Sequence, residues 1–303
     1  RMGRVRMRTM SLYESGDSTG DISLSGLFEK PCDKDILIRD VKLDELTDLV
    51  VRGGWPAVLG MDTESAMNHS KKYMDSIIDY CVRDMDGIKR DAGKMRSLLK
   101  SLARNESKTV SNNALVRDIF NVDKEHVSRQ TLSKYLDVLR KLFLIEEEPG
   151  FNPNLRSSVR VGKSPKRRFT DPSLAIAALE ATPDMLMNDL NTFGLLFESL
   201  CMRDLAAYVE SFGGRLYHYR DSEGREIDAV VKLPDGRWGA FEVKLGADRI
   251  DEAAENLLKI DELTSRDPKS KRPSVLCVIC GIMSAAYKRD DGVYVIPITA
   301  LKN

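Results

Sequence analysis

Four residues late in the chain, Glu198, Asp228, Glu242 and Lys244, are of the types that phosphodiester hydrolysis requires. Carboxylates are hard oxygen ligands that hold Mg²⁺ or Mn²⁺ while leaving positions open for water. The metal stabilises charge on the phosphate and acidifies a bound water. A lysine beside that water orients it or favours its deprotonation. Local patterning brings three of the four together. A Pro234-Asp235-Gly236 turn joins two strand-like runs, Glu226 to Leu233 and Arg237 to Leu245. Alternation puts Ile227, Ala229, Val231 and Leu233 on one face and Asp228 with Val230 on the other, while Phe241 and Val243 alternate with Glu242 and Lys244. Asp228 can then meet Glu242 and Lys244 on a common side. Glu198 lies among Leu195, Cys201, Met202 and Leu205 at helical spacing, on an apolar face where an unpaired carboxylate is costly. A metal or the lysine relieves that cost. In this reading Asp228 and Glu242 are metal ligands, Glu198 is a further ligand or water positioner, and Lys244 stands next to the nucleophile. A surface salt bridge accounts equally well for Glu242 and Lys244, and a satisfied buried charge network accounts for all four residues.

The elements that must position these residues read as α/β. A helix (Gly194 to Val209) precedes strands at Arg215 to Arg220, Glu226 to Leu233 and Arg237 to Leu245. A helix (Asp251 to Leu263) and strands at Ser274 to Ile279 and Gly292 to Ile296 follow. Upstream, apolar residues recur at helical spacing from Asp40 to about Leu102, interrupted at Arg52-Gly53-Gly54-Trp55-Pro56. The stretch before Glu29 reads as loop. Between these regions lie three helices, the third with an apolar stripe at Leu132, Tyr135, Leu136 and Leu139 and with Ser128 as its N-cap. Two strands around Phe143-Leu144-Ile145 and Arg167-Arg168-Phe169 complete the order of a winged helix. Its third helix offers Arg129, Gln130, Ser133 and Lys134 to a major groove, or simply carries them as a solvated face that also holds Asp137. The expected division is a helical module over residues 1–88, a winged helix over 89–190 and the α/β domain over 191–303.

Glu198, Asp228 and the Glu242-x-Lys244 pair, in helix-strand-strand-strand order, resemble the PD-(D/E)XK, or restriction-endonuclease-like, superfamily. A longer string is more specific: Phe197-Glu198-Ser199-Leu200, Tyr217-His218-Tyr219-Arg220, Gly224-Arg225-Glu226-Ile227-Asp228 and Glu242-Val243-Lys244. It is similar to the C-terminal domain of unknown function in a large family of bacterial and archaeal AAA-type ATPases. Arg52-Gly53-Gly54-Trp55-Pro56, Lys134-Tyr135-Leu136-Asp137-Val138-Leu139 and Phe169-Thr170-Asp171-Pro172-Ser173-Leu174 resemble other segments of that family, so the likeness spans nearly the whole chain. It implies that an ATPase module precedes all of this, with Gly3-Arg4 and the Met10-Ser11 region as its trailing end. It also implies a restriction-endonuclease-like α/β domain, with ATP binding belonging to the parent protein.

No P-loop is present in these residues. The Gly162-Lys163-Ser164 run lacks the first glycine of the motif, since Ser157 stands there, and Pro165 follows it. It reads instead as a basic hairpin that Lys166, Arg167 and Arg168 continue. No ATP site and no ATP hydrolysis are expected from this chain. Arg220 and Arg225 flank the acidic residues and either meet phosphates or pair with surface carboxylates. Tyr217 and Tyr219 read as packing residues, and Asn256 follows the lysine strand where related nucleases sometimes carry a polar residue.

The 303 residues are 42% hydrophobic and 31% charged, with 47 basic and 47 acidic side chains. Zero net charge steers the chain toward neither nucleic acid nor anionic membrane, so a DNA partner must be met by a local patch. No apolar run approaches the roughly 18 residues of a membrane span. Five cysteines without a secretory signal fit reduced thiols and a cytoplasmic protein, and Cys277 and Cys280 should point to opposite faces of one strand. His69, His126 and His218 stand singly. Three functions stay open: a Mg²⁺-dependent deoxyribonuclease, a recognition or regulatory module for DNA or a protein partner, and a structural remnant.

Overall fold

A computed structural model describes residues 6–30, 35–83, 90–154, 164–221 and 223–303, without the side chains of 81–83. A strand β1 (Ile22–Ser23), a one-turn helix α1 (Gly26–Glu29) and a strand β2 (Ile36–Leu37) precede two longer helices, α2 (Leu43–Arg52) and α3 (Thr63–Arg83). α2 is amphipathic and buries Leu46, Val50 and Val51. It stops at Gly53, whose φ of +71° lies where a side chain is strained.

Next come α4 (Ala92–Arg104), β3 (Lys108–Thr109), α5 (Asn112–Asp118), α6 (Arg129–Lys141), β4 (Ile145–Glu148) and β5 (Lys166–Phe169). The three strands form an antiparallel sheet in the order β3-β5-β4, which with the helix order is the topology of a winged helix. The Ser128 hydroxyl caps α6 by accepting the Thr131 N–H at 3.0 Å, and the expected stripe of Leu132, Tyr135, Leu136 and Leu139 is buried.

Helices α7 (Pro172–Leu179) and α8 (Pro183–Asn188) lead into α9 (Leu190–Ser211). Then follow β6 (Arg215–Arg220), β7 (Glu226–Lys232), β8 (Trp238–Lys244), α10 (Ile250–Arg266), β9 (Val275–Cys280), β10 (Ala285–Lys288), β11 (Tyr294–Pro297) and β12 (Leu301–Lys302). A seven-stranded mixed sheet runs β2-β10-β11-β9-β8-β7-β6. Its β6-β7-β8 part is an antiparallel meander, while β8, β9 and β11 are parallel. α9, apolar almost all round, packs with Ala229, Val231, Phe241 and Cys277 on one face of the sheet. The apolar stripe of α10, with Ala253, Ala254 and Leu257, packs with Val230, Ala240, Val278 and Cys280 on the other. The architecture is α/β. Cys277 and Cys280 do face opposite sides, both buried as free thiols, as Cys201 is. Cys32 and the Cys81 side chain lie outside the described residues.

Three details depart from the sequence reading. The stretch before Glu29 is tied into the last domain: β1 pairs with β12, and the following β2 pairs with β10, a strand the alternation did not reveal. The expected strand at Phe143 to Ile145 starts two residues later, because Leu142 and Phe143 close α6 and Phe143 takes a positive φ. Ile227 joins the α10 side of the core, beyond an irregular register between Tyr217 and Tyr219.

A backbone pairing and a buried ion cluster help to fix the winged helix against the large sheet. Beyond β4, the Phe151 N–H donates to the His218 carbonyl at 2.7 Å and the His218 N–H to that of Pro149 at 3.2 Å, joining edge strand β6. Behind α9, the buried Arg203 guanidinium bridges Asp171 at 3.2 Å and Asp204 at 2.7 Å. Asp171 also accepts the Gly54 N–H at 2.9 Å, and Asp204 the Leu12 N–H at 2.9 Å. At Gly54 a Cβ would stand 2.1 Å from the Met10 carbonyl oxygen, so this turn requires glycine.

Candidate functional site

The four acidic and basic residues expected to converge do so. The pair Ala229 and Phe241 aligns β7 with β8, so Asp228 and Glu242, one step further on, are cross-strand neighbours. Asp228 Oδ2 accepts the Val243 N–H at 2.9 Å and lies 3.7 Å from Lys244 Nζ. Lys244 Nζ donates to Glu242 Oε2 at 2.7 Å, and the other Glu242 oxygen accepts from Asn256 Nδ2 of α10 at 2.7 Å. Asn256 also donates to the Glu226 carbonyl, so it pins the acidic strand to the helix. Glu198 reaches the cluster from α9.

A fifth residue completes the site. Lys166, the first residue of β5 in the winged helix, forms an ion pair with Glu198 Oε1. Its Nζ lies 3.7 Å from Asp228 Oδ1 and donates to the Asp228 carbonyl at 3.2 Å. The basic run Lys166-Arg167-Arg168 is therefore no exposed hairpin. All three residues are buried in the middle strand of the small sheet, with Glu148, Glu147 and Glu146 of β4 directly opposite them. Arg167 pairs with Glu147 at 2.6 Å and Arg168 with Glu148 at 2.7 Å and with Glu146. The complementary triplets Glu146-Glu147-Glu148 and Lys166-Arg167-Arg168 are the sequence signal that would have revealed this pairing.

The electrostatics follow from two ammonium groups among three carboxylates. Burial pushes Glu198 up to about 7 even with Lys166 beside it. Burial and the Asp228 charge push Glu242 up to about 8. Asp228 is also buried, but Lys166, Lys244 and the Val243 N–H together hold it below the usual carboxylate range. Burial opposes the charge on Lys166 and Lys244, yet their carboxylate neighbours raise both above the ordinary lysine value.

A PD-(D/E)XK core implies a divalent metal, and the residues here do not fit one as they are arranged. Lys166 stands in for a cation between Glu198 and Asp228, and Lys244 and Asn256 take the two oxygens of Glu242. Among the described residues no group of three or more His, Cys, Asp and Glu side chains is placed to hold a metal ion. The expected set Asp228, Glu242 and Glu198 is thus gathered in space and closed by lysines.

The remaining candidates separate. Arg129, Gln130, Ser133 and Lys134 are all exposed on the N-terminal half of α6. Neither Arg129 nor Lys134 has an acidic partner among the described residues, while Asp137 on the same helix pairs with Arg140 at 2.5 Å. Arg220 pairs with Glu226 at 2.8 Å and donates to the Thr109 hydroxyl at 2.7 Å. Arg225 pairs with Asp221 at 2.6 Å and Glu223 at 2.7 Å. Both arginines follow the ion-pair alternative. Tyr217 packs at 5.8 Å, ring centre to ring centre, from Phe151. The expectation on Gly162 and Lys163 lies outside the described residues. A cleft of about 490 Å³ lies along β4 and α9, and Arg8, Arg140 and Arg168 in its walls are already paired with glutamates.

Fold and site define an α/β protein with a winged helix whose middle strand closes an acidic cluster on the large sheet. Residues 43–185 match the family model of a domain of unknown function, DUF8612, and residues 193–301 match that of a second, DUF4143. No curated protein and no solved structure matches the chain. Among the described residues no helix is long and apolar enough to cross a membrane.

Proposed function

We propose that this chain is the C-terminal part of an AAA-type ATPase and acts as a DNA-recognition module, its nuclease-like core serving as scaffold and not as an active hydrolase. The motif string from Arg52 to Lys244 and the succession of two domains of unknown function support the family placement. The observation that carries the DNA reading is the exposed N-terminal half of α6, where Arg129 and Lys134, without an acidic partner among the described residues, stand beside Gln130 and Ser133. In a helix-turn-helix arrangement this part of the third helix faces the major groove, where cations fix phosphates and amides or hydroxyls meet base edges. The lysines on Glu198, Asp228 and Glu242 favour binding over cleavage, because each carboxylate that would ligate a metal already holds an ammonium or an amide.

The test is fluorescence anisotropy of duplex DNA across a salt series without divalent ions. Arg129→Ala combined with Lys134→Ala should weaken binding and make the dependence of log K on log salt shallower by about two. Equal affinity and slope for the double variant would refute the groove contact. Absent or salt-insensitive binding by the unaltered chain would favour a protein partner.

A further inference from the structure

The geometry assigns Lys166 as a built-in competitor for a divalent cation: its ammonium holds the place between Glu198 and Asp228, and these carboxylates accept a divalent ion only when it is removed. The inference stands independently of the DNA reading.

Lys166 Nζ faces three oxygens, Glu198 Oε1, Asp228 Oδ1 and the Asp228 carbonyl. An ammonium has three donors, and three hard oxygens around one cation is also a set that a divalent ion takes with water completing its shell. The side chain is 9% exposed, so the ammonium is largely shielded from solvent. The rest of the site satisfies itself without Lys166: Lys244 and Asn256 hold Glu242, and the Val243 N–H holds Asp228 Oδ2. Taking Lys166 away therefore strips one positive charge from Glu198 and from one face of Asp228 while leaving the frame intact. A buried carboxylate that loses its partner is costly, and a divalent ion offsets that cost.

The competitor comes from another fold. Lys166 lies on the middle strand of the winged helix, whereas Glu198 and Asp228 lie on α9 and β7 of the large domain. Next to it, Arg8 links Glu146 of β4 to Glu210 of α9, while Arg168 holds Glu146 and Glu148 within the small sheet.

The experiment uses the full chain and Mn²⁺ alone as probe, read by calorimetry and by the electron paramagnetic resonance of free Mn²⁺. Lys166→Met should bind Mn²⁺ at least about tenfold more tightly than the unaltered chain, a difference of about 1.4 kcal/mol. Adding Asp228→Asn should abolish the gain, and Lys166→Arg, which keeps the charge, should not show it. Circular dichroism verifies folding, and Lys166→Gln serves the same comparison if the methionine variant does not fold. Equal Mn²⁺ affinity with and without Lys166, whether tight or absent, overturns the inference, as does a gain that survives Asp228→Asn.

Discussion

Two buried charge clusters in this molecule use nearly the same residue types to opposite ends. Around Arg203, both aspartates are fully buried and each oxygen has a donor from a guanidinium, a hydroxyl or a backbone N–H. The planar fork of arginine matches carboxylates with fixed geometry, and the backbone donors Leu12 and Gly54 come from distant parts of the chain. That cluster is a clamp. Around Asp228 the cations are lysines, whose compact ammonium groups can be exchanged for another cation, and side-chain exposure rises to 26% at Lys244. Two ammonium groups serve three carboxylates, so each cation is shared between two acids. The difference teaches that a buried ion pair is structural when donors and acceptors close completely, and open to a ligand when they do not.

The comparison breaks most visibly at the clamp. Arg203→Met leaves Asp171 and Asp204 buried without their shared cation, and urea unfolding should record a loss of about 3–5 kcal/mol. A loss under about 1 kcal/mol would mean the clamp is not one. The same change at Lys166 should cost no more than about half as much, because Glu198, already pushed up to about 7, can keep a proton when its ammonium partner is gone. Equal losses at the two positions would erase the distinction between clamp and exchangeable site.

The smallest effect concerns Glu106, which stands between the two cases. One of its oxygens accepts the Phe169 N–H at 2.9 Å and the Ser199 hydroxyl at 2.6 Å, while Oε2 is buried with no hydrogen-bond partner among the described residues. Burial pushes this carboxyl up to about 8, against an ordinary value of 4.5. The folded chain therefore keeps a proton that the unfolded chain releases, and stability from this group is present below 4.5 and falls as pH rises to about 8. Glu106→Gln should flatten that part of the slope in urea midpoints measured between about pH 5 and about pH 8. An unchanged slope would show that Glu106 ionises as readily folded as unfolded.

Much of this was legible locally. Alternation along Glu226 to Leu233 and Arg237 to Leu245 placed Asp228, Glu242 and Lys244 together, and Ser128 with the stripe from Leu132 located α6. Short strands such as β1, β2 and β10 were not legible, because two to four residues carry no period and form only where a partner edge already exists. Lys166, Arg167 and Arg168 read as solvated because three consecutive charges in a strand are normally exposed. They are buried only because three glutamates meet them across the sheet.

The sequence by itself determined the α/β order of elements, the winged-helix order within it and the four residues that gather on the large sheet, since helical spacing and strand alternation are properties of neighbouring residues. Only the tertiary structure decided what those residues meet. A lysine 62 positions before Asp228 enters their cluster, and no local period encodes that encounter; the packing of one fold against another brings the opposite charges together and excludes the water that would otherwise separate them.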